Sequence, residues 1–121
     1  MFIPIVLILL VLVIAVVSLF VFVIVAKGKP PQGRALDYLE RGEISQGRLV
    51  ACIGDSLTHG NLGVCWVNHL RDEFPQDIFL NEGINGDVVW QVHERLETII
   101  KCRADLAILM IGSNDAMGSF D

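Results

Sequence analysis

The sequence predicts an α/β protein: a three-layer α/β sandwich around a parallel sheet, preceded by one transmembrane helix. Three observations predict it. The first 26 residues carry no charge, and all 9 Lys+Arg and 14 Asp+Glu fall in residues 27–121. From residue 48 onward, apolar runs of strand length alternate with stretches of helical period, a pattern that implies parallel pairing and right-handed crossovers. Each apolar run is followed by a loop rich in Gly, Asn, Asp or Ser. The 53% hydrophobic content and the mean hydropathy of +0.57 therefore average two unlike compositions. That excludes both a uniformly hydrophobic multi-pass protein and a disordered chain.

Residues 2–26 are interrupted only by Pro4 and Ser18. At 1.5 Å per residue such a helix spans about 37 Å, more than the roughly 30 Å of a bilayer core. A cleaved signal peptide is the competing reading, but it has a basic start and an apolar run of about 7–15 residues. Here no Lys or Arg precedes the run, and Ile24 two before Ala26 makes a poor cleavage site. The segment is read as an anchor. Lys27, Lys29, Arg34, Arg41 and Arg48 all follow it, so the positive-inside rule places the polar part in the cytoplasm, with an extracytoplasmic placement left open. Pro30 and Pro31 stiffen a linker over 27–33. Residues 35–41 can form a short helix with Leu36 and Leu39 on one face. The organisation expected is an anchor over 1–26, a linker and short helix over 27–47, and an α/β unit over 48–121.

Residues 49–53 form a continuous apolar run, as in a strand buried on both faces. An amphipathic helix is predicted over 63–74, with Val67, Leu70 and Phe74 in line and Pro75 ending it. A short strand follows at 78–80. A second helix over 87–101 aligns Val88, Val92, Leu96 and Ile99. A third buried strand is predicted over 106–111. Residues 27–121 are few for an α/β enzyme, so the sandwich is expected to be incomplete at its carboxyl end.

The net charge of −5, without any Lys/Arg cluster, argues against a nucleic-acid partner. Cys52, Cys65 and Cys102 form no CxxC, and they read as small buried hydrophobes rather than a disulfide framework. Cys65 and His69 share a helix face but lack two further ligands, so no metal site is expected.

In a parallel α/β sheet, ligands bind beyond the carboxyl ends of the strands. The loops there are 54–60, 81–87 and 112–115. Ser56 offers a hydroxyl and an N–H at a helix start, Gly86 a second N–H that no side chain shields, and Asn114 an amide. One nucleophile and three donors amount to an oxyanion site for acyl transfer. Each residue also has a structural alternative. Asp55 and Ser56 can cap a helix, Gly86 can serve a turn, and Asn114 can be a loop-tip polar group.

The same residues resemble a known family. Gly54-Asp55-Ser56-Leu57 resembles the first block of the GDSL, or SGNH, hydrolases. Ile84-Asn85-Gly86-Asp87 is similar to the second block and Gly112-Ser113-Asn114-Asp115 to the third. The resemblance covers about residues 48–118. It implies a flavodoxin-like α/β/α fold and hydrolysis of carboxylic or thioester acyl bonds. It makes Ser56 the nucleophile, and it forms the oxyanion hole from the N–H groups of Ser56 and Gly86 and the amide of Asn114. Gly54, Asp55 and Asp115 support them, and the family uses no metal or organic cofactor. One block is missing: no Asp-x-x-His, the source of the family's base, occurs in the sequence. His59, His69 and His93 are not tied to Ser56 by any sequence argument. Unassisted, a serine hydroxyl is a poor nucleophile, so the 121 residues alone are expected to hydrolyse esters slowly or not at all. The expected partners are a small-molecule or lipid ester and, through residues 2–26, a membrane; oligomeric state stays open. The alternatives are an inactive relic or interaction protein, should 121 residues be the full length, and a phosphate- or flavin-binding module using Ser56, Thr58 and Asn61.

Overall fold

The computed structural model describes residues 2–42, 46–61 and 63–118. Parts of the predicted linker (43–45) and α/β unit (62 and 119–121) lie outside them. The chain opens with helix α1 (Phe2–Gly28), in which Pro4–Ala26 is long and apolar enough to cross a membrane. No part of that segment is buried against the rest of the protein, which sets it apart from a core helix. Length and composition suit a membrane span or a signal sequence equally.

Helix α2 (Ala35–Arg41) leads to strand β1 (Leu49–Gly54), the short helix α3 (Ser56–His59) and helix α4 (Trp66–Glu73). Then come β2 (Ile78–Gly83), α5 (Val89–Lys101), β3 (Leu106–Met110) and α6 (Ser113–Ala116). The three strands are parallel in the order β2-β1-β3. Side chains alternate across β1. Leu49, Ala51 and Ile53 join Ala35, Leu80, Val92 and Ile99 beneath α2 and α5. Val50 and Cys52 join Val67 and Phe79 beneath α4. The result is the predicted α/β/α layering, with β1 buried along its whole length.

Four expectations change. β2 continues to Gly83 instead of ending at residue 80, because its polar residues find partners. Asn81 Nδ2 donates to Thr58 O at 3.0 Å, and Glu82 Oε1 accepts from Ala35 N–H at 2.7 Å. Helix α4 starts at Trp66 rather than 63, since Gly60 turns the chain with φ +77° and Cys65 serves as the N-cap. Helix α5 starts at Val89, because the Asp87 N–H closes a turn onto Ile84 O at 3.2 Å. The fourth change is the largest. β3, expected to be buried, exposes Leu106, Leu109 and Met110. Among the described residues it pairs with β1 alone, while Ile108 is the strand residue packed against the core beneath α4. In α2 the face toward the core carries Ala35 and Tyr38, so the face shared by Leu36 and Leu39 is the exposed one.

Candidate active site

The three predicted loops do meet at the carboxyl edge of the sheet, and α6 fastens them with three consecutive residues. Ser113 Oγ donates to Asp55 Oδ2 at 2.6 Å. Asn114 Nδ2 donates to Asp87 O at 2.8 Å. Both Asp115 carboxylate oxygens accept from Val89 N–H at 3.2 Å, at the start of α5. Asp55, almost fully buried, also accepts from Leu57 N–H at 3.0 Å and so caps α3. The cap predicted as an alternative role for Asp55 and Ser56 is thus supplied by Asp55. Among the described residues, neither the N–H nor the hydroxyl of half-buried Ser56 enters a hydrogen bond.

Gly86 is exposed, and its φ of +83° lies in the region that L side chains rarely adopt. Gly83 answers a different demand. A Cβ there would collide with His59 N, so its absence lets α3 lie directly against β2. Asn114 keeps one amide N–H after its bond to Asp87 O, since a carboxamide nitrogen has two.

Beneath the loops lies a charged cluster built around Arg95. Its Nε donates to Asp87 Oδ2 at 2.9 Å and its Nη1 to Glu82 Oε2 at 3.2 Å. Its Nη2 reaches Glu82 O at 2.8 Å and Gly54 O at 3.2 Å. Arg34 Nη2 adds a second cation to Glu82 Oε2 at 3.3 Å. One guanidinium thereby joins the ends of β1 and β2 to the start of α5. Burial raises the Asp87 carboxyl above its ordinary value, against the pull of Arg95. Sequence reasoning missed Glu82, Arg95 and Asn81. A signal existed: Arg95 falls on the apolar stripe of Val88, Val92 and Ile99, where a charge must be paired.

Among the described residues no histidine is hydrogen-bonded to Ser56. The His59 ring is buried and bonded to Lys29 O at 2.9 Å; a carbonyl only accepts, so Nε2 carries a proton. His69 and His93 are exposed on α4 and α5. Burial pushes the Cys52 thiol up to about 11, which makes it inert near neutral pH. A cleft of about 660 Å³ opens elsewhere, along the outer edge of β2 beside Tyr38, Arg41 and Arg71. It borders none of Ser56, Gly86 and Asn114 and has no part in this chemistry.

Comparison with known proteins gives the geometry a context. Among solved structures the chain is similar to LAE5, an alpha/beta hydrolase enzyme from the metagenome of Lake Arreo, Spain. The identity is 26% and the TM-score 0.52, over 64% of this chain and 45% of that one. It is also similar to Axe2, an acetylxylan esterase from Geobacillus stearothermophilus, with 29% identity and a TM-score of 0.50 over 64% and 44%. Catalytic mutants of Axe2, with alanine in place of a serine, an aspartate or a histidine, match to the same degree. The chain spans less than half the length of these structures. No curated protein matches it by sequence. Residues 52–121, which include all three site loops beyond the first strand, match the sequence profile of the GDSL-like Lipase/Acylhydrolase family. The chain belongs to that family.

Proposed function

We propose that this chain carries the nucleophile and the oxyanion donors of a membrane-anchored serine ester hydrolase. The observation that carries the reading is the triple contact of α6, from Ser113 to Asp55, Asn114 to Asp87 and Asp115 to Val89. It brings the loops of Ser56, Gly86 and Asn114 to one sheet edge and leaves the Ser56 hydroxyl uncommitted among the described residues. In the reaction, Ser56 Oγ bonds to the ester carbonyl carbon as its proton passes to a base. The Ser56 and Gly86 N–H groups and the second Asn114 N–H receive the charge that forms on the carbonyl oxygen. Collapse expels the alcohol, which takes up the proton, and water then releases the acid from Ser56.

The base in this reading is a histidine of a catalytic triad; among the described residues none of His59, His69 and His93 is hydrogen-bonded to Ser56. The Axe2 catalytic mutants, which replace a serine, an aspartate and a histidine, support a triad of that kind. The anchor is α1, and residues 48–121 form the hydrolase part. Hydrolysis of a chromogenic ester by the whole membrane-bound protein tests the proposal. Ser56→Ala is expected to lower kcat by about 10³-fold or more, and Asn114→Ala by about 10²–10³-fold. Unchanged kcat in Ser56→Ala contradicts the assignment.

A further inference from the structure

Charge is distributed unevenly around the end of α1. The protein carries a net charge of −5. Yet two clefts at that helix end are lined by cations and, among the described residues, by no Asp or Glu. One, of about 290 Å³, has Gly28, Lys29, Arg34 and His59 in its walls. The other, of about 250 Å³, has Ala26, Lys29, Asn68 and Arg71. Lys29, Pro30, Pro31 and His59 belong to both. Residues 59–61 hold these walls against the helix end: His59 Nε2 donates to Lys29 O at 2.9 Å, and Asn61 Nδ2 to Ala26 O at 3.4 Å.

The walls also hold polar groups whose partners are incomplete. Arg71 donates to Phe79 O, Gln32 O and Asn68 Oδ1, all neutral, so no carboxylate among the described residues cancels its charge. Lys29 enters no ion pair among them either. Arg34 shares Glu82 with Arg95, and its Nε is buried without a described partner. His59 is 6% exposed. With Nε2 donating to Lys29 O, Nδ1 of the neutral ring is an acceptor, and it too is buried without a described partner. Surface cations alone would be ordinary. Cationic donors beside an unused acceptor match a phosphate that carries a neighbouring hydroxyl.

We propose that these clefts hold the headgroup of an anionic phospholipid, its phosphate among Lys29, Arg34 and Arg71 and a headgroup hydroxyl on His59 Nδ1. This lipid is a ligand of the anchor's end, not the ester that Ser56 cleaves. Ala26 ends the apolar stretch Pro4–Ala26, so in an anchored chain the clefts open at the depth of the headgroups. An anionic leaflet repels a body of net negative charge, and cations at the helix end offset that repulsion where the chain enters the membrane. Free phosphate offers the same charge but is not held at that depth. The inference rests on the reading of α1 as an anchor and is independent of the Ser56 assignment.

The test begins with the full chain in its own membranes, washed with alkaline carbonate. Release of the chain overturns the anchor reading and this inference with it. The retained chain is then weighed by native mass spectrometry from detergent micelles holding equal amounts of phosphatidylglycerol and phosphatidylcholine. It is expected to keep phosphatidylglycerol in preference by about tenfold or more, and Lys29→Gln/Arg71→Gln to lose that preference. Lys29→Gln alone, at an exposed position, is expected to lower it about fivefold without disturbing the fold. Lys101→Gln/Arg103→Gln removes the same charge from exposed positions outside both clefts and is expected to keep the preference. An unaltered chain without preference overturns the inference, as does a preference that survives Lys29→Gln/Arg71→Gln. Equal loss in the two double variants reduces the effect to net charge and overturns it too. An inorganic phosphate adduct in phosphatidylcholine micelles, without any phosphatidylglycerol preference, makes the ligand a soluble phosphate and overturns the headgroup.

Discussion

The two outer strands of the sheet behave oppositely to their own sequences. β2 reads Ile-Phe-Leu-Asn-Glu-Gly, half of it far from apolar, and is buried over nearly its whole length. β3 reads Leu-Ala-Ile-Leu-Met and is largely exposed. The difference lies in their neighbours. The outer edge of β2 is covered by the segment before α2: Asn81 N–H donates to Gly33 O at 3.0 Å, and Arg71 Nη2 bridges Phe79 O at 2.7 Å and Gln32 O at 2.9 Å. Helices α2 and α5 cover one face and α4 the other. β3 has β1 on one side and, among the described residues, no strand on the other. Burial is thus a property of what packs on a strand, and a bare apolar edge is where a further strand adds.

The contrast can be broken at several points. The largest expected effect is at Arg95, which holds the covered flank together. Arg95→Met leaves the Glu82 and Asp87 carboxylates buried, with Arg34, among the described residues, the cation still paired with Glu82. Removing one partner of such a cluster costs about 3–5 kcal/mol, readable as a large drop in the urea midpoint. A loss below about 1 kcal/mol would show that the cluster is solvated.

Leu80→Ala and Leu109→Ala make the comparison directly. Leu80 is 1% exposed and Leu109 62% exposed. The first is expected to cost about 2–5 kcal/mol and the second no more than about 0.5 kcal/mol. Equal losses would mean that the β3 face is covered in solution. A smaller effect is expected of Arg71→Ala, which uncovers the β2 edge. It should cost about 1 kcal/mol and speed hydrogen exchange at the Asn81 amide.

The smallest effect is electrostatic, at Asp77 before β2. The Arg48 backbone N–H, 2.8 Å from Oδ1, holds its carboxyl below the usual range, with the Arg48 guanidinium adding to it. A depressed carboxyl stabilises the fold above its unfolded value, near pH 4, and the contribution fades as pH falls through the folded value. Asp77→Asn should therefore lower the urea midpoint at neutral pH and flatten the acid side of its pH profile. Asp87 has the opposite sign. Its raised carboxyl favours the fold at low pH and withdraws that help as pH climbs past the ordinary aspartate range.

The element pattern was legible because β1, α4 and α5 carry clear periods: a continuous apolar run for the first, and Val67 with Leu70, and Val88 with Val92 and Ile99, for the others. The polar end of β2 was not, since Asn81 and Glu82 look like loop residues until their partners Thr58, Ala35, Arg34 and Arg95 are in place. Exposure of β3 was illegible for a related reason: its composition describes a strand that something covers. The site loops could be placed from strand order alone. That α6 fastens them through Ser113, Asn114 and Asp115 needed three contacts spanning 26 to 58 residues of sequence. No local signal announces contacts of that range.

The central claim is that Ser56 is the nucleophile of an ester hydrolase. Mass mapping of a fluorophosphonate adduct on the whole protein in its native membrane tests it most directly. The account predicts a single adduct on the peptide containing Ser56, absent in Ser56→Ala. Labelling at another residue, or labelling that survives Ser56→Ala, would contradict it.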